Sequence, residues 1–216
     1  MALVAFDFDG ALSTTDLSVL LGREYDREHE IQGLADQARR GEVDVTASIR
    51  QRVSLLEGMP EARVTRAFER AKLRAGADAL LTDLRRSGAI VAIITGSFES
   101  GVRTVLDRAD VAVDHLVANR LVVANEALTG AVEGPLVDGR KDSALEEVAE
   151  AAGVGLGRTI AVGDDATDLP MLRAAGSAVG FEPEPLVEEA CDEVVTSIRA
   201  LRLYFEQHDV IAAEPG

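Results

Sequence analysis

Two short segments of the sequence crowd carboxylates next to apolar stretches. The first, DFDG, carries Asp7 and Asp9, and the second, GDDATD, carries Asp164, Asp165 and Asp168. Neighbouring carboxylates repel one another, and carboxylates beside apolar walls lose hydration, so this crowding is costly. A divalent cation among the carboxylates offsets that cost, and Mg²⁺ prefers such hard oxygen ligands. Because aspartates also follow strands as turn formers or helix caps, the magnesium site is predicted from the two segments together and not from either one.

Phosphate is the ligand that best fits the polar residues that accompany this site. Four of the aspartates contribute about four negative charges, so a phosphate dianion could enter only with the metal ion and a lysine in place. The sequence has two lysines, and one of them, Lys141, opens a predicted helix, where backbone N–H groups also favour anions. Thr95 and Gly96 can supply a hydroxyl and a backbone N–H to a phosphoryl oxygen. The alternatives are that Lys141 is a solvated residue at the start of a helix, and that Thr95 and Gly96 form a simple turn after a strand.

Apolar, β-prone runs predict the strands that must position these residues. Three strong runs cover residues 2–8, 89–94 and 159–162, and shorter ones cover residues 177–181 and 193–196. Helical patterns at residues 77–86 and 141–152 alternate with them, which is typical of an α/β fold with a doubly wound parallel sheet. Ligands in such folds bind at the carboxyl ends of the strands, where the aspartates and the Thr95-Gly96 pair lie.

The region from Thr15 to Lys72 breaks this alternation. It contains only helical patterns, at about residues 16–21, 27–40, 45–57 and 61–72. We therefore expect a small helical insertion after the first strand. Residues 118–132 predict a β-hairpin, and the last residues, from about His208, are expected to fray.

Composition limits the classes of function. The chain has 216 residues, 47% of them hydrophobic, and a formal net charge of −16. Such a negative surface disfavours nucleic acid and anionic lipid as partners, and the absence of a long apolar run argues against a membrane span. The single Cys191 excludes a disulfide within the chain. We expect a cytoplasmic monomer or homodimer that acts on a small phosphorylated metabolite, and the acidic, lysine-poor composition is typical of proteins from salt-loving organisms.

The order DFDGA, TGS, Lys141 and GDDATD resembles the haloacid dehalogenase-like phosphohydrolases, which use an aspartate nucleophile. The stretches RQRVSLLEGMP and ANRLVVANEALTGAVEG are similar to bacterial and archaeal members of that family that act on phosphoserine. The resemblance covers nearly the whole chain. It implies an α/β core at residues 1–14 and 74–216 and a helical cap domain at residues 15–73.

The resemblance also implies roles for the acidic residues. Asp7 would attack phosphorus and form an aspartyl-phosphate, and Asp9 would act as general acid and then base. Mg²⁺ would be bound by Asp7, the backbone carbonyl of Asp9, and Asp164. Asp168 would orient the ligands around the metal ion and the side chain of Lys141.

Substrate-binding roles follow from the same resemblance. Thr95, Gly96 and Lys141 would hold the phosphoryl oxygens. Asp16 and Arg52 would bind the amino acid part of the substrate, with Arg52 on its carboxylate.

The sequence departs from the family pattern at four of the relevant positions, and at one of them Asp16 is one methylene shorter than the usual glutamate. Ala11 stands where a hydroxyl residue is usual, Asp165 replaces a glycine, and Thr167 replaces an asparagine that can help to bind substrate. Three functions therefore stay open: a Mg²⁺-dependent phosphatase for O-phosphoserine, the same chemistry on another small phosphate ester, and a non-catalytic binding protein on a phosphatase scaffold.

Overall fold

The computed structural model describes residues 1–212, and the last four residues of the predicted core, 213–216, lie outside the described residues. Its strands are β1 (Leu3–Phe6), β2 (Ile90–Phe98), β3 (His115–Ala124), β4 (Ala127–Glu133), β5 (Thr159–Gly163), β6 (Ser177–Phe181) and β7 (Glu193–Val195). They form one sheet in the order β4-β3-β2-β1-β5-β6-β7. Neighbouring strands are parallel except β3 and β4, which form the predicted hairpin.

The helices are α1 (Leu17–Glu24), α2 (Glu28–Arg39), α3 (Val45–Ser54), α4 (Glu61–Phe68), α5 (Ala77–Arg86), α6 (Glu99–Arg108), α7 (Lys141–Ala151), α8 (Leu169–Ala174), α9 (Pro185–Glu188) and α10 (Ile198–Gln207). They cover both faces of the sheet, because alternate residues of a strand point to opposite sides. Val4 and Phe6 belong to one apolar cluster, with α5, α6 and α10, whereas Leu3 and Ala5 belong to another, with α7 and α8. The predicted doubly wound α/β fold is confirmed.

Strand β1 lies between β2 and β5 at the centre of the sheet. Leu3 aligns with Ile90 on one side and with Thr159 on the other. Beyond the strand, the backbone N–H of Asp7 donates to the carbonyl of Val162 at 2.9 Å. Because the three strands are parallel and in register, their carboxyl ends meet at one edge of the sheet, where the predicted site residues lie.

Helices α1 to α4 form the predicted helical insertion between β1 and α5. The two connections to this segment run side by side: Ser13 pairs with Leu73 in an antiparallel bridge, and the backbone N–H of Arg74 donates to the carbonyl of Leu12 at 2.8 Å. This pairing supports our proposal that residues 15–73 are a cap domain on a core of residues 1–14 and 74–216. The segment also shares the larger apolar cluster with the sheet, through residues such as Leu17.

Several element ends differ from the predicted ones. Strand β2 continues to Phe98, beyond the predicted end at residue 94, while α3 ends at Ser54 and α4 at Phe68, both before their predicted ends. Helices α6 and α10 lie in stretches for which no helix was predicted. These ends are set by contacts with other elements, which a local pattern does not record.

The predicted fraying from about His208 is wrong for the described part of that stretch. The His208 ring packs on the Tyr204 ring with 4.1 Å between centroids, and Ile211 is buried in the larger apolar cluster. The ring contact is local to α10, and the burial of Ile211 packs the chain after α10 into the core.

Candidate active site

A buried lysine joins two of the predicted aspartates. Asp7 follows β1, Lys141 is the first residue of α7, and Asp168 precedes α8. The Lys141 Nζ lies 2.6 Å from Asp7 Oδ1 and 2.5 Å from Asp168 Oδ1, and all three residues are buried. Lys141 therefore holds two core elements together while it carries positive charge to the edge of the sheet.

The loop after β5 wraps its backbone around the Asp168 carboxylate. Asp168 Oδ2 accepts from the backbone N–H of Asp164 at 2.9 Å and from that of Asp165 at 3.3 Å. A Cβ at position 163 would lie 2.6 Å from the Asp168 side chain, so Gly163 is needed for this close approach. With Oδ1 on Lys141 and Oδ2 on the backbone, Asp168 is fully used in positioning its neighbours.

Asp164 lies against the loop that follows β1. A Cβ at Gly10, where φ is +96°, would lie 2.1 Å from Asp164 Oδ2. This residue must therefore be glycine both for its backbone conformation and for the space that the carboxylate fills. Asp164 Oδ1 is buried and has no hydrogen-bond partner among the described residues.

Asp9 connects the core to the first helix of the insertion. Its Oδ2 accepts from the backbone N–H of Leu17 at 3.2 Å, whereas its Oδ1 is buried without a partner in residues 1–212. Burial raises the pKa of Asp9 well above its ordinary value, and the charges of Asp16 and Asp7 add to this effect. A raised pKa suits a general acid, because the carboxyl group then holds its proton to higher pH.

Burial is also the main cause of the raised pKa values of Asp7, Asp164 and Asp165. It raises the pKa of Asp7 to about 7, although the charge of Lys141 acts in the opposite direction. It raises the pKa of Asp165 to about 6 and that of Asp164 well above the ordinary value. Burial lowers the pKa of Lys141, but Asp168 and Asp7 outweigh it and raise that pKa above its ordinary value. The lysine therefore stays charged, and the acidic groups at this edge of the sheet outnumber it.

This excess and the unpartnered oxygens fit a hard divalent cation. Asp7, Asp164 and Asp168 can each place one carboxylate oxygen within 4.8 Å of the others. Of the predicted ligands, Asp7 and Asp164 belong to this cluster. The third predicted ligand was the backbone carbonyl of Asp9, and the third side chain of the cluster is Asp168. Because both Asp168 oxygens are already engaged, Asp7 and Asp164 are better placed to supply ligands to a metal ion.

Thr95 and Gly96 lie in β2 beside these carboxylates. Thr95 is buried, and its Oγ1 accepts from the backbone N–H of Ser97 at 3.2 Å. The backbone carbonyl of Gly96 accepts from Asn119 Nδ2 at 2.9 Å, and Asn119 Oδ1 accepts from the backbone N–H of Leu136. Asn119 was not among the predicted site residues, because it lies in the hairpin, far from the motifs. One of its hydrogen bonds ties Gly96 of β2 to the hairpin, and the other ties the hairpin to Leu136.

The opposite wall comes from the helical insertion. Asp16 is the N-cap of α1, and its Oδ2 lies 3.3 Å from Arg52 Nη1 on α3 and 3.2 Å from Arg39 Nη2 on α2. Burial acts to raise the pKa of Asp16, but the charges of Arg52 and Arg39 and the Ser18 hydrogen bond hold it below its ordinary value. Arg39 was not predicted, since nothing in its local sequence distinguishes it from other helical arginines.

Thr167 and Asp165 lie where the two walls approach each other. Asp165 Oδ1 accepts from the backbone N–H of Thr167 at 2.8 Å, and Asp165 Oδ2 lies 3.8 Å from Arg39 Nε. One cavity is lined by all the predicted site residues except Asp164 and Asp168, and its lining also includes the unpredicted Ser18, Arg39 and Ser97. Asp168 contacts the lining residue Lys141. Acidic groups, one lysine and a pair of arginines thus face a common space.

The sequence of this chain is similar to a known family of hydrolases. Residues 4–173 match the family model of the haloacid dehalogenase-like hydrolases. The chain belongs to this family. This haloacid dehalogenase-like hydrolase is 43% identical over 210 residues to a phosphoserine phosphatase of Halobacterium salinarum, covering 97% of this chain and all of that one. It is 34% identical to a phosphoserine phosphatase of Methanocaldococcus jannaschii, covering 88% of this chain and 90% of that one.

The fold is also similar to solved structures of phosphoserine phosphatases. A structure described as the phospho-aspartyl intermediate analogue of phosphoserine phosphatase matches with a TM-score of 0.89 at 32% identity, over 94% of this chain and 98% of that one. A substrate-bound phosphoserine phosphatase complex matches with the same TM-score at 31% identity, over 94% of this chain and 97% of that one. These similarities confirm the prediction of a phosphoric monoester hydrolase, and the Halobacterium relative agrees with the composition expected of a salt-loving host. Across residues 1–212, every helix is too short or too polar to cross a membrane.

Proposed function

We propose that this hydrolase is a Mg²⁺-dependent phosphatase that converts O-phosphoserine to serine and phosphate through an aspartyl-phosphate. The observation that carries the proposal is one cavity with the carboxylates Asp7 and Asp9 and the cation Lys141 on one wall and Arg52 on the other. The first wall suits a phosphoryl group, and the second suits a carboxylate. The phosphoserine phosphatases among the relatives point to the same substrate.

In this proposal Asp7 is the nucleophile. One of its oxygens attacks phosphorus, the bond from phosphorus to the serine oxygen breaks, and Asp9 gives its proton to that oxygen. Asp9 then takes a proton from a water molecule that attacks the aspartyl-phosphate, which releases phosphate and restores Asp7. The raised pKa of Asp9, caused first by burial, supports its role as the acid in the first step.

Asp7, the backbone carbonyl of Asp9, and Asp164 would hold Mg²⁺. When it is bound, Mg²⁺ supplies positive charge that offsets the carboxylates and the phosphoryl group. Asp168 positions this set through Lys141 and through the backbone N–H groups of the loop after β5.

The remaining contacts orient the substrate. Thr95, Gly96 and Lys141 would hold the phosphoryl oxygens, and the Asn119 hydrogen bond to Gly96 keeps this end of β2 in place. Thr167 lines the cavity between the phosphoryl site and the helical wall. The proposed cap domain, residues 15–73, would cover the bound ester and exclude bulk water.

The test is phosphate release from a panel of esters: O-phosphoserine, O-phosphoethanolamine, 2-phosphoglycolate and p-nitrophenyl phosphate. Each is measured with Mg²⁺ and with EDTA, at low and at high salt. We expect the highest kcat/KM with O-phosphoserine, and only when Mg²⁺ is present. Hydrolysis of the other esters with little turnover of phosphoserine would move the assignment to another small phosphate ester, and no hydrolysis of any ester would favour a binding protein.

A further inference from the structure

Arg39 reaches the same cavity as Arg52 but from a different helix. Its Nη2 lies 3.2 Å from Asp16 Oδ2, its Nη1 lies 3.5 Å from Asp36 Oδ1, and its Nε lies 3.8 Å from Asp165 Oδ2. The side chain is 26% exposed, compared with 48% for its neighbour Arg40, which is paired with Glu42 outside the cavity. Arg39 therefore belongs to the helical wall of the cavity and not to the protein surface.

The Asp16 carboxylate is already saturated by donors of the chain. Its Oδ1 accepts from the backbone N–H groups of Ser18 and Val19 and from the Ser18 hydroxyl, at 2.7, 3.2 and 2.6 Å. Its Oδ2 accepts from Arg39 and Arg52. A carboxylate offers about four lone-pair positions, and five donors share those of Asp16. A substrate ammonium group would have to displace a guanidinium to reach it.

Arg52 keeps unused capacity to donate hydrogen bonds. Arg52 Nη1 donates to Asp16 and to the Ser18 hydroxyl, but Arg52 Nε is buried and has no partner within residues 1–212. Two guanidinium groups share the Asp16 carboxylate, and Arg39 also lies 3.5 Å from Asp36 Oδ1 and 3.8 Å from Asp165 Oδ2. The unpartnered, buried Nε of Arg52 is expensive unless a ligand satisfies it, and a planar anion accepts from guanidinium groups in pairs.

We infer that Arg39 and Arg52 together bind the carboxylate of the substrate, and that Asp16 holds this arginine pair in place and does not bind the ammonium group. Arg39 is then a specificity-determining residue for small phosphate esters that carry a carboxylate. The inference deepens the proposed function and rests on it for the phosphoryl end of the substrate, where Lys141 and Thr95 already serve as donors. A carboxylate is favoured over the phosphoryl group because both arginines are tied to the N-cap of α1, on the wall opposite Lys141.

The test compares three esters that differ in one group each. O-phosphoserine has both charged groups, 3-phosphonooxypropanoate lacks the ammonium group, and O-phosphoethanolamine lacks the carboxylate. For the parent enzyme we expect kcat/KM for 3-phosphonooxypropanoate to be within about fivefold of that for O-phosphoserine, and that for O-phosphoethanolamine to be lower by about 30-fold or more.

Arg39→Gln tests the residue directly, with Arg40→Gln as the matched control. We expect Arg39→Gln to raise KM for the two carboxylate esters, so that the kcat/KM ratio of phosphoserine to phosphoethanolamine falls about tenfold. Arg39→Lys should restore part of the ratio, and Arg40→Gln should leave it unchanged. Circular dichroism and the melting temperature establish that each variant is folded.

Two results would overturn the inference. Equal loss on all three esters in Arg39→Gln would place Arg39 on the phosphoryl group or in the support of the cap. A parent enzyme that needs the ammonium group as much as the carboxylate would return Asp16 to the role of ammonium ligand. If phosphoserine is a poor substrate while 3-phosphonooxypropanoate is a good one and depends on Arg39, the inference stands and the proposed substrate is wrong.

Discussion

The two walls of the cavity are built by different means. The core wall is built from residues that follow parallel strands, and backbone hydrogen bonds set their positions, as between Asp7 and Val162. The helical wall is built from side chains on three helices, and ion pairs to Asp16 set their positions. Burial dominates the core carboxylates and raises their pKa, as at Asp7, whereas the arginine charges prevail at Asp16 and lower its pKa.

This difference suggests that the core wall carries out the reaction and that the helical wall determines which substrate is accepted. In the proposed function the core wall acts on the phosphoryl group, which every phosphate monoester shares, and the helical wall contacts the rest of the ester. Changes to the core wall should therefore reduce turnover of all substrates, and changes to the helical wall should reduce turnover of some.

The strongest test of this separation is Asp7→Asn. We expect turnover of every ester to fall by about 10⁴-fold or more, because the amide is not a nucleophile, while the fold remains since the two side chains have nearly the same size. Beryllofluoride, which mimics the aspartyl-phosphate, should bind the parent protein and not the variant. Substantial phosphate release by purified Asp7→Asn would contradict the assignment of the nucleophile.

Metal removal is the second test of the core wall. Chelation should abolish turnover of phosphoserine and of p-nitrophenyl phosphate alike, because the crowded carboxylates then repel the phosphate dianion. Added Mg²⁺ should restore both activities to the same extent. Full turnover in excess EDTA, or restoration of activity on one ester only, would contradict the proposed division of roles between the two walls.

Arg52→Ala tests the helical wall. Loss of a charged partner in a closed site costs about 2–5 kcal/mol, so kcat/KM for phosphoserine should fall about 30-fold or more. The loss should be smaller with p-nitrophenyl phosphate, which lacks a carboxylate. Arg50→Ala is the matched control, because Arg50 lies on the same helix but its side chain is 59% exposed. Equal losses on both esters would mean that Arg52 supports the cap or the phosphoryl group.

The smallest expected effect is on stability. In the metal-free protein the pKa values of Asp7 and Asp165, about 7 and about 6, lie above the ordinary 3.8, so the folded state binds more protons than the unfolded state. The stability from these groups is complete below about pH 4 and is lost as the pH rises through about 7. In EDTA, Tm should therefore fall from pH 5 to pH 8, by about 2–4 °C for each kcal/mol lost.

The same experiment distinguishes the walls. Asp7→Asn should make this fall smaller. Asp16→Asn should change the slope between pH 5 and pH 8 only through Asp9, whose raised pKa depends in part on the Asp16 charge, because the lowered pKa of Asp16 itself acts at more acidic pH. A Tm that rises with pH in EDTA would contradict the raised pKa values of Asp7 and Asp165.

The comparison also explains what could be predicted from the sequence. Asp7, Thr95 and Asp164 could be placed together because each comes at or near the end of an apolar run of the sequence, and parallel strands bring their carboxyl ends to one edge. Arg39 was missed because its place depends on how α2 packs against α1 and on the loop after β5, and one helical arginine resembles another in sequence. Asn119 was missed for a related reason: its hydrogen bond to Gly96 spans 23 residues, from the hairpin to β2. Position along a strand is a local signal, whereas a contact between elements is not.

The central place of β1 has a consequence for how the chain folds. Its partners are strands that begin at Ile90 and Thr159, so this apolar strand is synthesised long before either of them. Pairing over such separations requires long loops to close first, which slows folding. Until β5 has been made, β1 lacks one of its two neighbours and is exposed to pairing with other chains. The active site, which needs Asp7 beside Asp164, can therefore form only after most of the chain has been made.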